Sequence, residues 1–313
     1  MSKCLITGSG GFIGSHLARY LLQKGLTVYG MVHRNSTRLE GLSGDFHISM
    51  CDILDKSGLV SILEDVKPDY VFHLAGQTFI PFSWQAPEQT FQVNVLGTLN
   101  LLEAIRNTNI SPVIEVTGSS AEYGYTAANA APLKETSELR PSSPYGVSKT
   151  AEDQLAYLYA QNYGLRLVRI RPFYVLGPGK TSYAPYDFAR GIAEIESGRR
   201  DSIRAGNLEA VRDPVDVQDA VRAIWLLAEK GRAGDVYNIC SGRGTSIKEI
   251  LDKLIALSRA PVKVETDPKL LRSTDESVLV GDCTKLSELG WKPRIMLDKT
   301  LEDILEYTRL SIK

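Results

Sequence analysis

The sequence predicts a doubly wound parallel α/β fold with a smaller C-terminal α/β lobe. Three observations predict it. Short apolar runs alternate with amphipathic segments through the first half of the chain. A glycine-rich turn follows the first apolar run and opens the first helical segment. The second half then loses this rhythm and is punctuated by Pro178, Pro185, Pro214, Pro261 and Pro268.

Residues 3–7 are a short apolar run that ends in glycines, a first strand. Residues 12–23 carry Ile13, Leu17 and Leu21 on one helical face. Residues 26–32 read as a second strand and 45–49 as a weaker third. A helix over 56–64 and a strand over 69–74 follow. Residues 87–107 read as one long helix with Pro87 in its first turn, and 111–117 as the next strand. Ser143 suits a helix cap and Pro144 a first helical position, so a helix is expected to run to about Tyr163. Residues 165–171 supply the strand after it. A dinucleotide-binding domain is expected over 1–174, with returns to the sheet at about 212–240 and 278–290. Residues 175–313 are expected to form mainly a substrate-binding lobe.

Bulk properties exclude several classes. The formal net charge is -1, so no global field favours nucleic acid or an anionic membrane. Cysteines at 4, 51, 240 and 283 have neither metal-site nor redox-motif spacing. They read as four separate thiols in a reducing compartment. The N-terminus enters a strand at once, and no apolar run approaches the roughly 20 residues of a membrane helix. The expectation is a cytoplasmic protein without a resident metal.

Gly8-Ser9-Gly10-Gly11-Phe12-Ile13-Gly14 lies between the first strand and the first helix. Glycines at 8, 11 and 14 allow a tight turn and close approach of a pyrophosphate, which the helix N-terminus then attracts. An acidic residue at the end of the second strand is the usual ribose partner in NAD enzymes. Here that strand runs into His33-Arg34-Asn35-Ser36, without an acid. Arg34, with Arg38 nearby, suits a 2′-phosphate, so NADP is favoured over NAD.

Tyr145-Gly146-Val147-Ser148-Lys149 puts a phenol and an amine four residues apart on one helical face. A free tyrosine has a pKa of about 10, and a neighbouring ammonium is expected to lower it toward a working acid/base. Thr117-Gly118-Ser119-Ser120-Ala121-Glu122 ends a predicted strand at its carboxyl side, where doubly wound folds keep their chemistry. Ser119 is the candidate hydrogen-bond donor to a substrate oxygen.

These elements, with His73-Leu74-Ala75-Gly76 and Asn94-Val95-Leu96-Gly97-Thr98, resemble the extended short-chain dehydrogenase/reductase family over nearly the whole chain. The resemblance implies a Rossmann core that binds NADP(H) in preference to NAD(H). It implies Ser119, Tyr145 and Lys149 as a catalytic triad. Gly8, Gly11, Phe12, Ile13, Asp52, Ile53, Leu74, Ala75 and Lys149 are implied to line the cofactor. A nucleotide-sugar-binding C-terminal lobe is implied, as is a homodimer that pairs the 87–107 and 143–163 helices into a four-helix bundle.

The stretches Gly206-Asn207-Leu208-Glu209-Ala210-Val211-Arg212-Asp213 and Leu289-Gly290-Trp291-Lys292-Pro293-Arg294 are similar to segments of family members acting on GDP-linked 6-deoxyhexoses. Arg212 and Arg272 are the implied diphosphate clamps, and Ser120, Tyr174, Asn207 and Glu276 further substrate contacts. The implied reaction is NADP(H)-dependent reduction of the 4-keto group of a GDP-4-keto-6-deoxy-hexose, as in GDP-D-rhamnose synthesis. The alternatives are 4,6-dehydration of GDP-mannose, 4-epimerisation of a nucleotide sugar, or a non-catalytic NADP sensor. Dehydratases of the family place a Glu two positions after the catalytic hydroxyl, where this chain has Ala121. Glu122 is adjacent, but in an extended segment it is expected to point the opposite way. Tyr174 stands where relatives often have Asn, Pro214 where an aromatic is common, and Ser273 where Pro is usual.

Overall fold

The apolar runs of the first half pair side by side. In this computed structural model, residues 1–34, 37–125, 132–270 and 277–312 are described. The first elements are β1 (Lys3–Thr7), α1 (Phe12–Gln23), β2 (Thr27–Val32), β3 (Phe46–Met50), α2 (Lys56–Val66) and β4 (Tyr70–His73). There follow α3 (Ile80–Gln85), α4 (Pro87–Phe91), α5 (Gly97–Asn107), β5 (Val113–Thr117), α6 (Pro144–Tyr163) and β6 (Leu167–Pro172). The later part comprises β7 (Tyr174–Leu176), α7 (Ala184–Glu196), β8 (Ser202–Ala205), β9 (Val211–Arg212), β10 (Pro214–Asp216) and α8 (Val217–Lys230). It ends with β11 (Val236–Ile239), β12 (Thr245–Ser246), α9 (Ile247–Ala256), β13 (Lys263–Thr266), β14 (Val278–Leu279), α10 (Thr284–Glu288) and α11 (Leu297–Ser311).

One seven-stranded sheet has the order β11-β6-β5-β4-β1-β2-β3, and all its pairs are parallel. Both faces are covered, as parallel strands require. On one face Leu17, Ala18 and Leu21 of α1 pack with Val221, Ile224 and Trp225 of α8. On the other, Leu59 and Leu63 of α2, Leu101 and Ile105 of α5, and Ala156 of α6 share a second core. Helices α7, α9 and α11 enclose a third core under the small strands of the C-terminal half. No described helix is long and apolar enough to cross a membrane.

One element prediction needs correction. The expected single helix over 87–107 is interrupted by a π turn at Gln92–Leu96, and α3 precedes it. The cause is Asn94, buried inside that turn. Its amide donates to the Gln77 carbonyl at 3.0 Å and to the Ser148 hydroxyl at 2.9 Å, and its side-chain oxygen accepts from the Gln77 N–H at 2.7 Å. An extra residue per turn aims that side chain at its partners. The four thiols are unbridged, as expected, and Cys283 packs against the cluster holding Cys240 and interacts with its thiol.

Glu115 is an anomaly in the sheet. It pairs in register with Phe72 and Val168, so it faces the α1/α8 core. Among the described residues neither carboxyl oxygen finds a hydrogen-bond partner, and burial raises its pKa well above the ordinary value. The folded chain therefore holds a proton there that the unfolded chain releases, so stability is lost as pH rises past the ordinary glutamate pKa. Glu115→Leu is expected to stabilise the fold by about 1–3 kcal/mol at neutral pH, with a smaller gain in acid. Denaturant melts of both proteins at acid and neutral pH test this; an equal or lower stability of the variant at neutral pH contradicts it.

Candidate active site

The glycine turn sits where β1 hands over to α1. Gly8 has φ +70°, and a Cβ there would lie 2.7 Å from the Ala75 backbone nitrogen. A Cβ on Gly14 would lie 2.4 Å from the Gly8 carbonyl. Only glycine allows this folding of loop onto helix. Helix α1 has no side-chain cap at Gly11 and no acid in its first turn, so its N–H groups and positive dipole end stay available. This cradle fits the phosphates of a dinucleotide.

The cradle opens into a cleft of about 1450 Å³ between the large sheet and the C-terminal lobe. Gly8, Gly11, Phe12, Ile13, Leu74, Ser119, Ser120, Tyr145, Lys149, Tyr174, Asn207 and Arg212 all line it. The remaining expected residues take other places. Ala75 packs behind Gly8, its N–H on the Thr7 hydroxyl at 3.1 Å. Ile53 is buried against Gly97 in the α2/α5 core. Asp52 lies 3.3 Å from the His33 ring and caps the Leu54 N–H at 2.9 Å. Arg34 is exposed, and it is Arg38 that lines the cleft, donating to the Gly179 carbonyl at 2.8 Å. Arg272 and Glu276 lie outside the described residues.

Helix α6 starts at Ser143, whose hydroxyl accepts from the Gly146 N–H at 3.1 Å, and carries Tyr145 and Lys149 inward. The Lys149 amine donates to the Thr117 carbonyl at 3.0 Å and to Glu152 at 3.1 Å. Burial opposes the lysine charge, but Glu152, Tyr145 and Glu122 together outweigh it and the net pKa moves up. Glu152 itself is pushed up to about 7 by burial, against the pull of Lys149. Behind this pair His73 bridges Thr7 at 2.8 Å and Thr98 at 2.9 Å, and burial keeps it neutral with a pKa of about 3.

Tyr145 is buried at the wall of the cleft. Burial raises its pKa, while the Lys149 ammonium and the Ser119 hydroxyl pull it back. The net direction is upward, the reverse of the sequence expectation, because burial of the phenol outweighs the pull of Lys149 and Ser119. Tyr145 therefore carries its proton at neutral pH.

Glu122 points away from the cleft as expected, but by a different backbone path. Residues Ser120–Glu122 form a 3₁₀ turn in place of an extended segment. Ser119 caps it, and the Glu122 carboxylate accepts from the Ser119 N–H at 2.7 Å. The other Glu122 oxygen is 2.9 Å from Arg171 Nε. Ala121 lines the cleft, while Glu122 is buried behind it. Asp213 and Asp216, adjacent to Arg212 in sequence, are committed elsewhere. Asp213 accepts from the Ser241, Gly242 and Gly281 N–H groups, and Asp216 from Gln218 and Thr300.

Sequence reasoning missed Lys180 and Tyr183, which also line the cleft. Neither stands in a recognisable motif, and only the chain path after β7 brings them in.

Comparisons with known proteins agree with this geometry. The sequence model of the GDP-mannose 4,6 dehydratase family matches residues 5–304. GDP-6-deoxy-D-mannose reductase of Pseudomonas aeruginosa is 33% identical over 308 residues, covering 97% of this chain and 96% of that protein. Among solved structures, RMD from Pseudomonas aeruginosa complexed with NADPH has a TM-score of 0.86 at 30% identity, covering 100% of both chains. The UDP-glucose 4-epimerase of Thermus thermophilus complexed with NAD has a TM-score of 0.90 at 28% identity, covering 99% of this chain and 100% of that one. A glycine cradle, a buried tyrosine–lysine pair and a match over almost its full length establish that the chain belongs to the GDP-mannose 4,6 dehydratase family.

Proposed function

We propose that this enzyme uses NADPH to reduce the 4-keto group of a GDP-4-keto-6-deoxy-hexose, a reaction of the kind that yields GDP-rhamnose. The observation that carries the reading is that, among the described residues, Tyr145 stands beside Ser119 in the cleft as a proton-transfer group and no carboxylate of the Ser119 turn lines it. Ala121 stands where elimination of water needs an acid, and Glu122 is spent on Arg171. The likeness to the Pseudomonas aeruginosa reductase over 97% of the chain supports the same choice.

The glycine cradle and Phe12 would hold NADPH, which supplies the hydride when bound. Arg38, which lines the cleft, would meet its 2′-phosphate, with the exposed Arg34 four residues earlier as a second candidate. The chain's own part is proton delivery. Ser119 donates a hydrogen bond to the carbonyl oxygen, and Tyr145, protonated by virtue of its burial, gives that oxygen a proton. Lys149 stabilises the phenolate that remains, and Glu152 keeps the lysine charged. Tyr174, Asn207 and Arg212 would meet the nucleotide sugar, Arg212 as a diphosphate partner. Arg272 and Glu276 complete the proposed substrate set.

We further propose a homodimer. Phe91 and Leu96 are 37% and 49% exposed, and Val147 and Leu158 on α6 are 41% and 51% exposed. These apolar faces adjoin on neighbouring helices, where a second copy would complete a four-helix bundle. Nucleotide-linked substrates and four unbridged cysteines support a cytoplasmic location.

Loss of NADPH absorbance on addition of the keto sugar tests the reaction. Product formed from GDP-mannose or a UDP-sugar without net NADPH oxidation would point to dehydration or epimerisation instead. Tyr145→Phe is expected to lower kcat by roughly 10²–10⁴-fold, and an unchanged rate removes the acid role. Glu152→Gln takes away a carboxylate that raises the proton affinity of both Tyr145 and Lys149. Its alkaline limb of kcat/KM is expected at lower pH than in the parent, and a coincident profile refutes the coupling. Leu158→Glu is expected to sediment as a monomer; a monomeric parent chain disposes of the bundle.

A further inference from the structure

Two of the four thiols meet beside the edge of the large sheet. Cys240 directly follows the edge strand β11, and Cys283 directly precedes α10. Each sulfur lies against backbone two residues from the other. A Cβ on Gly281 would be 2.6 Å from Cys240 Sγ, and a Cβ on Gly242 would be 3.5 Å from Cys283 Sγ. Both side chains belong to the small apolar cluster of Tyr123, Leu133, Phe173 and Leu279. The Cys240 thiol donates a hydrogen bond to the Cys283 sulfur, and the Ser287 hydroxyl adds a second donor at 3.8 Å. The surrounding chain holds the two turns together. Asp213 accepts from the Ser241 and Gly242 N–H groups at 2.7 and 3.0 Å and from the Gly281 N–H at 3.1 Å, so one carboxylate fastens the Cys240 turn to the Cys283 turn. Lys285 reaches back to the Val236 carbonyl at 2.9 Å and to Asp235 at 3.2 Å. Exposure separates the thiols: Cys4, Cys51 and Cys240 are buried, and Cys283 is partly exposed.

We propose that Cys240 and Cys283 are a peroxide-sensitive dithiol, which oxidises to an intrachain disulfide that staples β11 to the turn before α10. The Cys283 thiolate attacks one oxygen of hydrogen peroxide. The O–O bond breaks, Cys283 becomes a sulfenic acid, and the other oxygen takes a proton and leaves as water. The Cys240 sulfur then attacks the sulfenic sulfur. The S–O bond breaks, and the Cys240 proton leaves with that oxygen as a second water. Two thiols and one peroxide give one disulfide and two waters, with two electrons passing from sulfur to oxygen. The hydrogen bond from Cys240 brings the Cys283 pKa down to about 6, against opposition from burial and Asp213, so the partly exposed thiol is the nucleophile. The same bond, together with burial, raises the Cys240 pKa and makes it the resolving thiol. Neither sulfur lines the cleft, so the staple forms apart from the catalytic groups. Asp213 already joins the two turns, so closure needs a small approach of the sulfurs and no refolded loop. The bond closes the chain from β11 to α10 into a loop, which removes freedom from the unfolded state. It also keeps the exposed thiol reducible, where further oxidation would be irreversible.

Mass spectrometry of the full-length protein after brief treatment with hydrogen peroxide is the test, on the parent, Cys283→Ser and Cys240→Ala. The parent should lose the mass of two hydrogen atoms and regain it in dithiothreitol. Its unreduced digest should contain a peptide that joins Cys240 to Cys283. Cys283→Ser should form no such link. Cys240→Ala should carry one added oxygen on Cys283, which a cyclic diketone captures as the sulfenic acid. The disulfide form of the parent should melt about 2–8 °C above the reduced form. A parent whose thiols all stay open to alkylation after peroxide overturns the proposal, as does a link through Cys4 or Cys51 or between two copies of the chain. A disulfide form that melts below the reduced one overturns the staple. Should Cys240→Ala fail to fold, the linked peptide of the parent and its absence from Cys283→Ser decide the matter.

Discussion

Arg171 is the side chain on which the arrangement of the site depends. It projects from β6 into a region closed to water. Its guanidinium meets Glu122 at 2.9 Å, Asp153 at 3.0 Å, the Tyr123 hydroxyl at 3.1 Å and the Glu135 carbonyl at 3.2 Å. Glu122 belongs to the turn that carries Ser119, and Asp153 to the helix that carries Tyr145 and Lys149. One planar cation thus sets three elements at a fixed separation. Arg169 adds a second contact to Asp153 at 2.8 Å. Such pairs add little net stability, because desolvation offsets their attraction, yet removing one partner costs about 3–5 kcal/mol. Their value here is geometric: in the proposed reaction acid and hydrogen-bond donor must face one carbonyl oxygen within a fraction of an ångström.

The same economy of charge explains why the proton sits where it does. Tyr145 is largely buried, so the neutral phenol is favoured until a positive neighbour competes. Lys149 competes, but Glu152 moderates it at 3.1 Å. A reductase needs the phenol loaded before the reaction and its anion tolerable afterwards. Burial supplies the first condition and Lys149 the second. Behind them the neutral His73 and its two threonine partners fill the space with satisfied polar groups, so the pair has no slack in which to rotate.

The two lobes divide the work along the chain. The parallel sheet ends in glycine and small-residue turns, which leave room for a flat dinucleotide. The C-terminal lobe contributes longer polar side chains, Asn207 and Arg212, over the open side of the cleft. The segment between β7 and α7, which carries Lys180, joins the two, because Arg38 and His16 from the first lobe bind its backbone. Tyr174 stands where relatives often carry Asn, and its ring centroid lies 5.3 Å from the Lys180 amine. A departure that looks like a lost contact in the sequence is thus part of a different one in space.

Local chemistry made much of this legible in the sequence. Glycine spacing after an apolar run determines a phosphate turn, because no other residue fits those torsions and contacts. Spacing of four on a helix puts Tyr145 and Lys149 on one face. Strand alternation foretold the parallel sheet, and β11 shows that the chain returns to it from the second half. Tertiary structure decided what depends on partners far away in sequence. Asn94 needs Gln77 and Ser148 before its π turn makes sense, and Glu122 turns away from the cleft only because Arg171 waits 49 residues further on. The direction of the Tyr145 pKa is likewise set by enclosure, a property of the packed whole. Lys180 carries no motif, and only the assembled lobes reveal the aromatic rings that surround its charge.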